Sequence, residues 1–343
     1  MNPVAPRARR TGHVRALRLL LLAVVALALA PGTFLRAPGQ MRSDPAQITV
    51  TPRIAQGKVT GALGRPYGVW ELTSQHGFFG GFSALVAGEG QALIAGSDRG
   101  FLLDIDLAGE APRPVAPSFR FVGLSTRGRK EFVDLEALAR DPASGTLWAA
   151  FEHDNLVMRF PPKGGRSIHA PREIAKWAAN SGPETMERLA DGRLLMIAEG
   201  NIEGDRRLHE ALLFPAASAA PGTPPLAFRF QGPAYFDPVD ATQLPDGRVL
   251  ILLRVVDYSI PAKFNASIAI ADPRDIRAGA AWEARVISHM HDGILAENFE
   301  GIAYVPSPAD PRKGSVWLIS DDNFSIFQRT LLVRFAWDGS IAP

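Results

Sequence analysis

Five residues stand at one register of a recurring pattern: Ser83, Glu136, Glu184, Asp240 and Glu300. Each opens a short apolar run that ends in a turn, and a second apolar run then leads to Asp98, Glu152, Glu199, Arg254 or Asp321. Carboxylates that converge on one place repel each other unless they are protonated or a cation neutralises them. Hard oxygen donors at several points suit Ca²⁺, and after it Mg²⁺, better than a soft metal. The candidate metal ligands are therefore Glu136, Glu184, Asp240, Glu300, Asp98, Glu152, Glu199 and Asp321. The candidate catalytic groups are Glu136, Glu184, Asp240, Glu300 and Arg254. A second reading stays open, in which the same carboxylates bond backbone amides of a neighbouring unit and only latch the fold together. Arg254 occupies the acidic slot of its unit. It could pair with Asp240 or Asp321, or present its fork to a ligand's phosphate or carboxylate, and Arg99 could serve similarly.

Other chemistry is thinly supported. His289 and His291 lie two apart and could share a strand face toward a metal, but no third partner has matching spacing. His76 and His153 sit beside the register positions and are candidates for acid–base work. No Gly-x-Ser-x-Gly elbow occurs, nor a dinucleotide or phosphate-cradling glycine loop, so no organic cofactor is expected.

The elements that must position these residues are strands. Short runs rich in branched and aromatic residues, bounded by Pro, Gly, Asp and Asn, dominate the chain. Ala139-Arg140-Asp141-Pro142, Leu189-Ala190-Asp191-Gly192 and Leu244-Pro245-Asp246-Gly247 are tight-turn sequences at one place in the pattern, between its two runs. A period of about fifty residues with four short strands per unit marks a β-propeller. In such a fold the first strand of each unit lines the central channel, so the two sets of polar residues should ring one mouth. The expected fold is all-β, a propeller of five four-stranded blades. A sixth blade, built from pieces such as Ile48-Thr49-Val50, stays open. The last unit lacks an outer strand, which a strand near Val69–Leu72 could supply to close the ring.

Composition bounds the rest. The chain has 343 residues, 37 basic and 35 acidic, with a formal charge of +2. Much of the basic excess lies at Arg7, Arg9, Arg10, Arg15 and Arg18, so the remainder carries no nucleic-acid signature. There are no cysteines, which excludes disulfides, thiolate metal sites and lipoprotein-type anchoring. Leu19 to Ala30 is an apolar run after that basic segment, shorter than the ~20 residues that span a bilayer comfortably. Ala28-Leu29-Ala30 looks like a cleavage site, although Pro31 disfavours cutting. Residues 1–30 are expected to be a signal peptide or membrane anchor, 31–45 a linker, and 46–343 one domain. Export to the periplasm, or anchoring to the inner membrane facing it, follows. The domain is expected to act as a monomer, touching a membrane only through an uncleaved leader.

With these residues in view, the sequence resembles the phytase-like family of exported bacterial proteins, "esterase-like activity of phytase". The segments that carry the resemblance are Gly80-Gly81-Phe82-Ser83-Ala84-Leu85, Asp134-Leu135-Glu136-Ala137-Leu138, Gly182-Pro183-Glu184-Thr185-Met186-Glu187-Arg188-Leu189, Leu244-Pro245-Asp246-Gly247-Arg248-Val249-Leu250, Asn298-Phe299-Glu300-Gly301-Ile302-Ala303 and Ser320-Asp321-Asp322-Asn323-Phe324. The resemblance implies a propeller, export, and hydrolysis of phosphate or carboxylic esters with Ca²⁺ in an acidic channel mouth. Ser83 and Arg254 depart from a fully acidic set. On this reading the substrate is a small anionic ester, the metal is held by Glu136, Glu184, Asp240 and Glu300, and Arg254 grips an anionic group. The alternative is a propeller without catalysis that binds a small ligand or a protein at the envelope. A sugar-lactone or sugar-dehydrogenase-like propeller is a third reading, without a cofactor signature.

Overall fold

Aspartate–glycine turns set the rhythm of the chain. Gly192 and Gly247 hold φ of 98° and 91°, a region that glycine enters without steric cost, and each closes a turn between two apolar strands. The computed structural model describes residues 10–30, 35–36, 47–123, 134–178, 181–215, 224–259, 262–339 and 341. Arg7, Arg9, Pro31, Val133 and most of the expected 31–45 linker lie outside them. Arg10–Ala28 is a helix, and among the described residues no helix is long and apolar enough to cross a membrane.

The strands form five sheets, antiparallel save for one outer strand, arranged as a five-bladed propeller. The first blade runs outward from Phe82–Ala87 through Ala92–Ser97 and Phe101–Asp106, with Arg113–Pro114 and Arg120–Phe121 pairing along its outer edge. The second holds Leu135–Arg140, Leu147–Phe151, Leu156–Phe160 and Ser167–His169. The third holds Pro183–Arg188, Leu194–Ile202, Asp205–Phe214 and Leu226–Gln231. The fourth holds Asp237–Gln243, Val249–Asp257, Lys263–Ala271 and Arg285–His291. The fifth starts with Asn298–Pro306, Gly314–Asp321 and Leu331–Trp337. Gly68–Ser74 completes it, pairing antiparallel with Leu331–Trp337, so a strand from early in the chain closes the ring as expected.

The five blades are those expected; among the described residues there is no sixth, because Ile48–Pro52 pairs with Gly68–Ser74 as a fifth strand of the last blade. Nor are all blades four-stranded: Lys58–Gly61 adds to the fourth, and Ala281–Glu283 adds to the third as a parallel strand. These additions cover edges that would otherwise present unpaired amides and carbonyls.

The apolar core is divided among the seams between blades. Leu102 and Leu135 meet at the first seam, Trp148 and Met186 at the second, and Phe230 and Ile251 at the third. Leu252 and Phe299 meet at the fourth, and Leu85 and Trp317 at the fifth. At the last seam Trp70 stacks on Trp317 with centroids 5.7 Å apart, which anchors the closing strand. The polar ring therefore rests on a rigid scaffold gripped at every seam.

Candidate functional site

A bulge places the ring. In every blade the pairing of the first two strands skips one residue near the start of the first: Ser83, Glu136, Glu184, Val239 or Glu300. An extra residue in one strand bends it and re-aims the side chain it carries. The residue before each bulge pairs with Ser97, Phe151, Ala198, Leu253 or Ser320. The next residues along are Asp98, Glu152, Glu199, Arg254 and Asp321. Both sets thus sit at one end of the channel.

Asp240 is a correction to the expected ring. It lies one residue past the bulge, where Val239 takes the ring position. Its carboxylate is buried and accepts from Ile302 N at 2.8 Å on the fifth blade, from Leu85 N at 3.4 Å on the first, and from Ala241 N at 2.8 Å. Burial raises its pKa well above the usual carboxylate range, although the amides of Ile302 and Ala241 pull the other way. Asp240 is a latch between blades, the second role considered for these acids. Ser83 is another, donating to the carbonyl of Leu135 in the next blade.

The structure gathers the remaining acids into two overlapping groups. Carboxylate oxygens of Asp134, Glu136 and Glu152 lie within 4.8 Å of one another, and so do those of Glu152, Glu184 and Glu199. Glu152 belongs to both. Burial, then the charges of Glu184 and Glu300, raise Glu136 well above its usual range. Burial, then Glu199, raise Glu184 despite the nearby Arg254. Burial pushes Glu152 up to about 7 and Asp98 up to about 8. Asp321 is raised by burial and by Glu300 and Asp98. Burial is the largest cause of each of these shifts, and the neighbouring carboxylates add to it.

Arg254 is the main counter-charge, but its partners are not the ones expected. It donates to Glu199 at 2.6 Å, to Asn298 Oδ1 at 2.9 Å, and to Glu300. It forms no ion pair with Asp240 or Asp321. Burial works against its charge, but Glu300, Glu184 and Glu199 outweigh it and hold the guanidinium protonated. Asn298 also donates to Glu300 at 2.8 Å and to Asp321 at 3.4 Å, tying the two rings together. Glu300 therefore belongs to the arginine's network, outside both close carboxylate groups. Arg99 lies over the Phe324 ring, 4.4 Å from its centroid, and Arg36 pairs with Asp322.

Sequence reasoning assigned no role to Asp134, Asn298 or Asp322. Asp134 and Asn298 stand two residues before their bulges, in the slot that Gly81, Gly182 and Asp237 fill in the other blades. That third register was the signal to follow. The four candidate histidines take no part in the gathered acids. His76 packs edge-on against Phe119 with centroids 5.1 Å apart, and His153 is exposed. His289 meets Ser267 at 2.8 Å and His291 meets Asp292 at 3.0 Å. Neither appears in a metal-sized group among the described residues.

At the other end of the channel a cavity of about 800 Å³ opens among Arg140, Arg188, Glu187, Gln243 and Tyr304. None of the clustered acids lines it, so this cavity and the gathered acids lie at opposite mouths.

A search of curated proteins gives no match. Among solved structures, catalytically inactive virginiamycin B lyase from Staphylococcus aureus is 11% identical, with a TM-score of 0.40 and coverage of 84% of this chain and 99% of that one. The structure of a nidogen/laminin complex is also 11% identical, with a TM-score of 0.40 and coverage of 83% and 96%. Hydrazine synthase of Kuenenia stuttgartiensis is 14% identical, with a TM-score of 0.35, and 71% of this chain spans 57% of that one. Likenesses this distant say nothing of activity. The family model for phytase-like proteins, "esterase-like activity of phytase", matches residues 78–324, from the glycines before the first blade to the end of the last acidic motif. The chain belongs to the phytase-like family.

Proposed function

We propose that this protein is an exported hydrolase of small anionic esters, phosphate esters first, working at the acidic mouth with a divalent cation. The observation that carries the reading is the pair of carboxylate groups sharing Glu152. Their donor set is oxygen alone, which fits Ca²⁺ better than a metal that prefers nitrogen or sulfur. Glu136, Glu152, Glu184 and Glu199, with Asp134, are the residues that would hold it. A bound cation would supply an activated water and neutralise charge on the ester. The chain's own contribution is placement: the bulges aim Glu136 and Glu184, and Arg254 fixes Glu199 and Glu300. The basic and apolar leader supports export.

One observation favours a second reading, a cation-stabilised propeller that binds a ligand without catalysis. Arg254 directs both terminal nitrogens at protein acceptors, Arg36 pairs with Asp322, and Arg99 stacks on Phe324. Arg254's fork is thereby spent on the protein's own acceptors, with less of it left to grip a substrate anion. The two readings part in one assay. The full-length protein is given a generic phosphomonoester with Ca²⁺ or with chelator, alongside Glu136→Gln and Glu152→Gln. Hydrolysis that needs Ca²⁺ and both residues is the expected result. Calcium binding without any turnover selects the second reading, and no response of activity or melting temperature to Ca²⁺ sinks both.

A further inference from the structure

The hairpin turn between Phe151 and Leu156 begins with Glu152 and ends with Asn155. Asn155 holds φ at 46°, a left-handed conformation that asparagine enters more readily than most residues. Its side chain turns inward, and the residue is only 5% exposed. The amide nitrogen Nδ2 donates to the carbonyl of Trp177 at 2.8 Å. That bond orients the amide, because exchanging its nitrogen and oxygen would set two carbonyl oxygens face to face. The oxygen Oδ1 is buried and has no hydrogen-bond partner among the described residues.

Gly182 shows where that oxygen lies. A Cβ added at Gly182 would sit 2.6 Å from Asn155 Oδ1 and 2.9 Å from Glu152 Cγ. The amide oxygen and the Glu152 side chain thus face the same small space, left open by the missing side chain. Glu152 Oε1 accepts from the Gly182 amide at 3.2 Å, which keeps the carboxylate there. Gly182 occupies the register where the second blade has Asp134 and the fifth Asn298. The third blade supplies no polar side chain at this register, and Asn155 reaches in from the second.

A buried oxygen without a donor is costly, and Glu152, Glu184 and Glu199 offer it acceptors when ionised. A cation resolves the conflict for all four groups. Calcium takes six to eight oxygens and accepts asparagine carbonyls beside carboxylates, whereas magnesium demands near-ideal octahedral geometry and retains waters. We propose that Asn155 Oδ1 is a ligand of a Ca²⁺ ion held with Glu152, Glu184 and Glu199, which makes this group the tight cation site of the mouth. The inference rests on the acidic mouth being a cation site and adds which group binds first, which ion it takes and which neutral residue completes it.

The test is calcium titration of the full-length protein by calorimetry, with the calcium-induced shift in melting temperature as a second readout. Asn155→Gly keeps access to positive φ and removes the oxygen. It should weaken calcium binding by about tenfold or more, the loss expected for a ligand or its immediate support. Asn155→Asp keeps an oxygen in place and adds charge, so it should bind calcium at least as tightly as the parent. Both variants lose the Trp177 bond, so lower stability without calcium is expected of each and decides nothing. If the parent binds calcium and Asn155→Gly matches it within about twofold, the assignment of Asn155 is overturned while the cation reading stands. If Asn155→Gly does not fold, Asn155→Asp decides: weaker binding than the parent overturns the assignment. A parent that binds no calcium overturns the cation reading, and this inference with it.

Discussion

Arg254 on the fourth blade donates to Glu199 on the third at 2.6 Å, bridging two blades at the rim of the acidic mouth. The same guanidinium reaches Glu300 on the fifth, so one side chain ties three blades. The arginine side chain is only 14% exposed, so the pair sits where removing one partner leaves an uncompensated charge. Arg254→Met should cost about 3–5 kcal/mol in the absence of calcium, read by denaturant unfolding. Calcium affinity should rise at the same time, because a cation that competed for Glu199 is gone. A variant of parental stability would show that the three blades hold without the bridge.

Asp240 offers the opposite pattern. Its carboxylate accepts from the amides of Ile302, Leu85 and Ala241 and touches neither close acid group. Asp240→Ala strands those buried amides and should destabilise the protein by upward of about 1–3 kcal/mol. Calcium affinity should be unchanged. A variant that folds normally but loses calcium would return Asp240 to the ligand set.

The contrast between those two residues marks how far the sequence could be read. The period, the propeller, the closing strand at Gly68–Ser74 and the second ring of residues were visible because turn residues and apolar strands repeat in phase. The first ring was readable in four blades of the five, at Ser83, Glu136, Glu184 and Glu300. In Val239-Asp240 the bulge falls on the apolar residue, and residue type alone does not mark which of two neighbours the pairing skips. The extra outer strands were hidden for another reason. Lys58–Gly61 pairs with Arg285–His291 far along the chain, and a strand this short carries no pattern that names a partner. Asn155 was hidden for a third reason: it is a turn residue, and the space its side chain faces is set by a glycine in the next blade.

At the opposite mouth, Glu187 accepts from the amide of Gln243 at 2.7 Å across a blade seam. Burial pushes its carboxyl up to about 8, although the amides of Gln243 and Arg188 lower it. Between its usual value and about 8 the folded protein keeps a proton that the unfolded chain releases. Its contribution to stability is therefore full at low pH and is lost as pH rises through about 8. Glu187→Gln keeps an oxygen to accept from Gln243 and removes the titration. In chelator, the melting temperature of the variant should gain on the parent between about pH 5 and pH 9. Parallel curves across that range would count against a raised pKa at Glu187.

Glu152 is the residue on which the acidic mouth turns, since both close groups contain it. Burial raises Glu136 and Glu184 well above their usual range, and Glu152 to about 7, so each resists ionising in the folded protein. Without a cation, stability should fall as pH climbs through about 7, because these protons are lost more readily by the unfolded chain. A calcium ion held at the mouth would take the ionised forms, so its stabilisation should be larger at about pH 8 than at about pH 5, reaching about 2.7 kcal/mol at a hundredfold excess over the dissociation constant. Glu152→Gln removes one of the crowded charges and a ligand from both groups together. It should melt higher than the parent in chelator at about pH 8 and lose most of the calcium-induced shift. A Glu152→Gln protein that responds to calcium as the parent does would mean that the ion binds elsewhere, and the shared carboxylate would lose its place at the centre of the site.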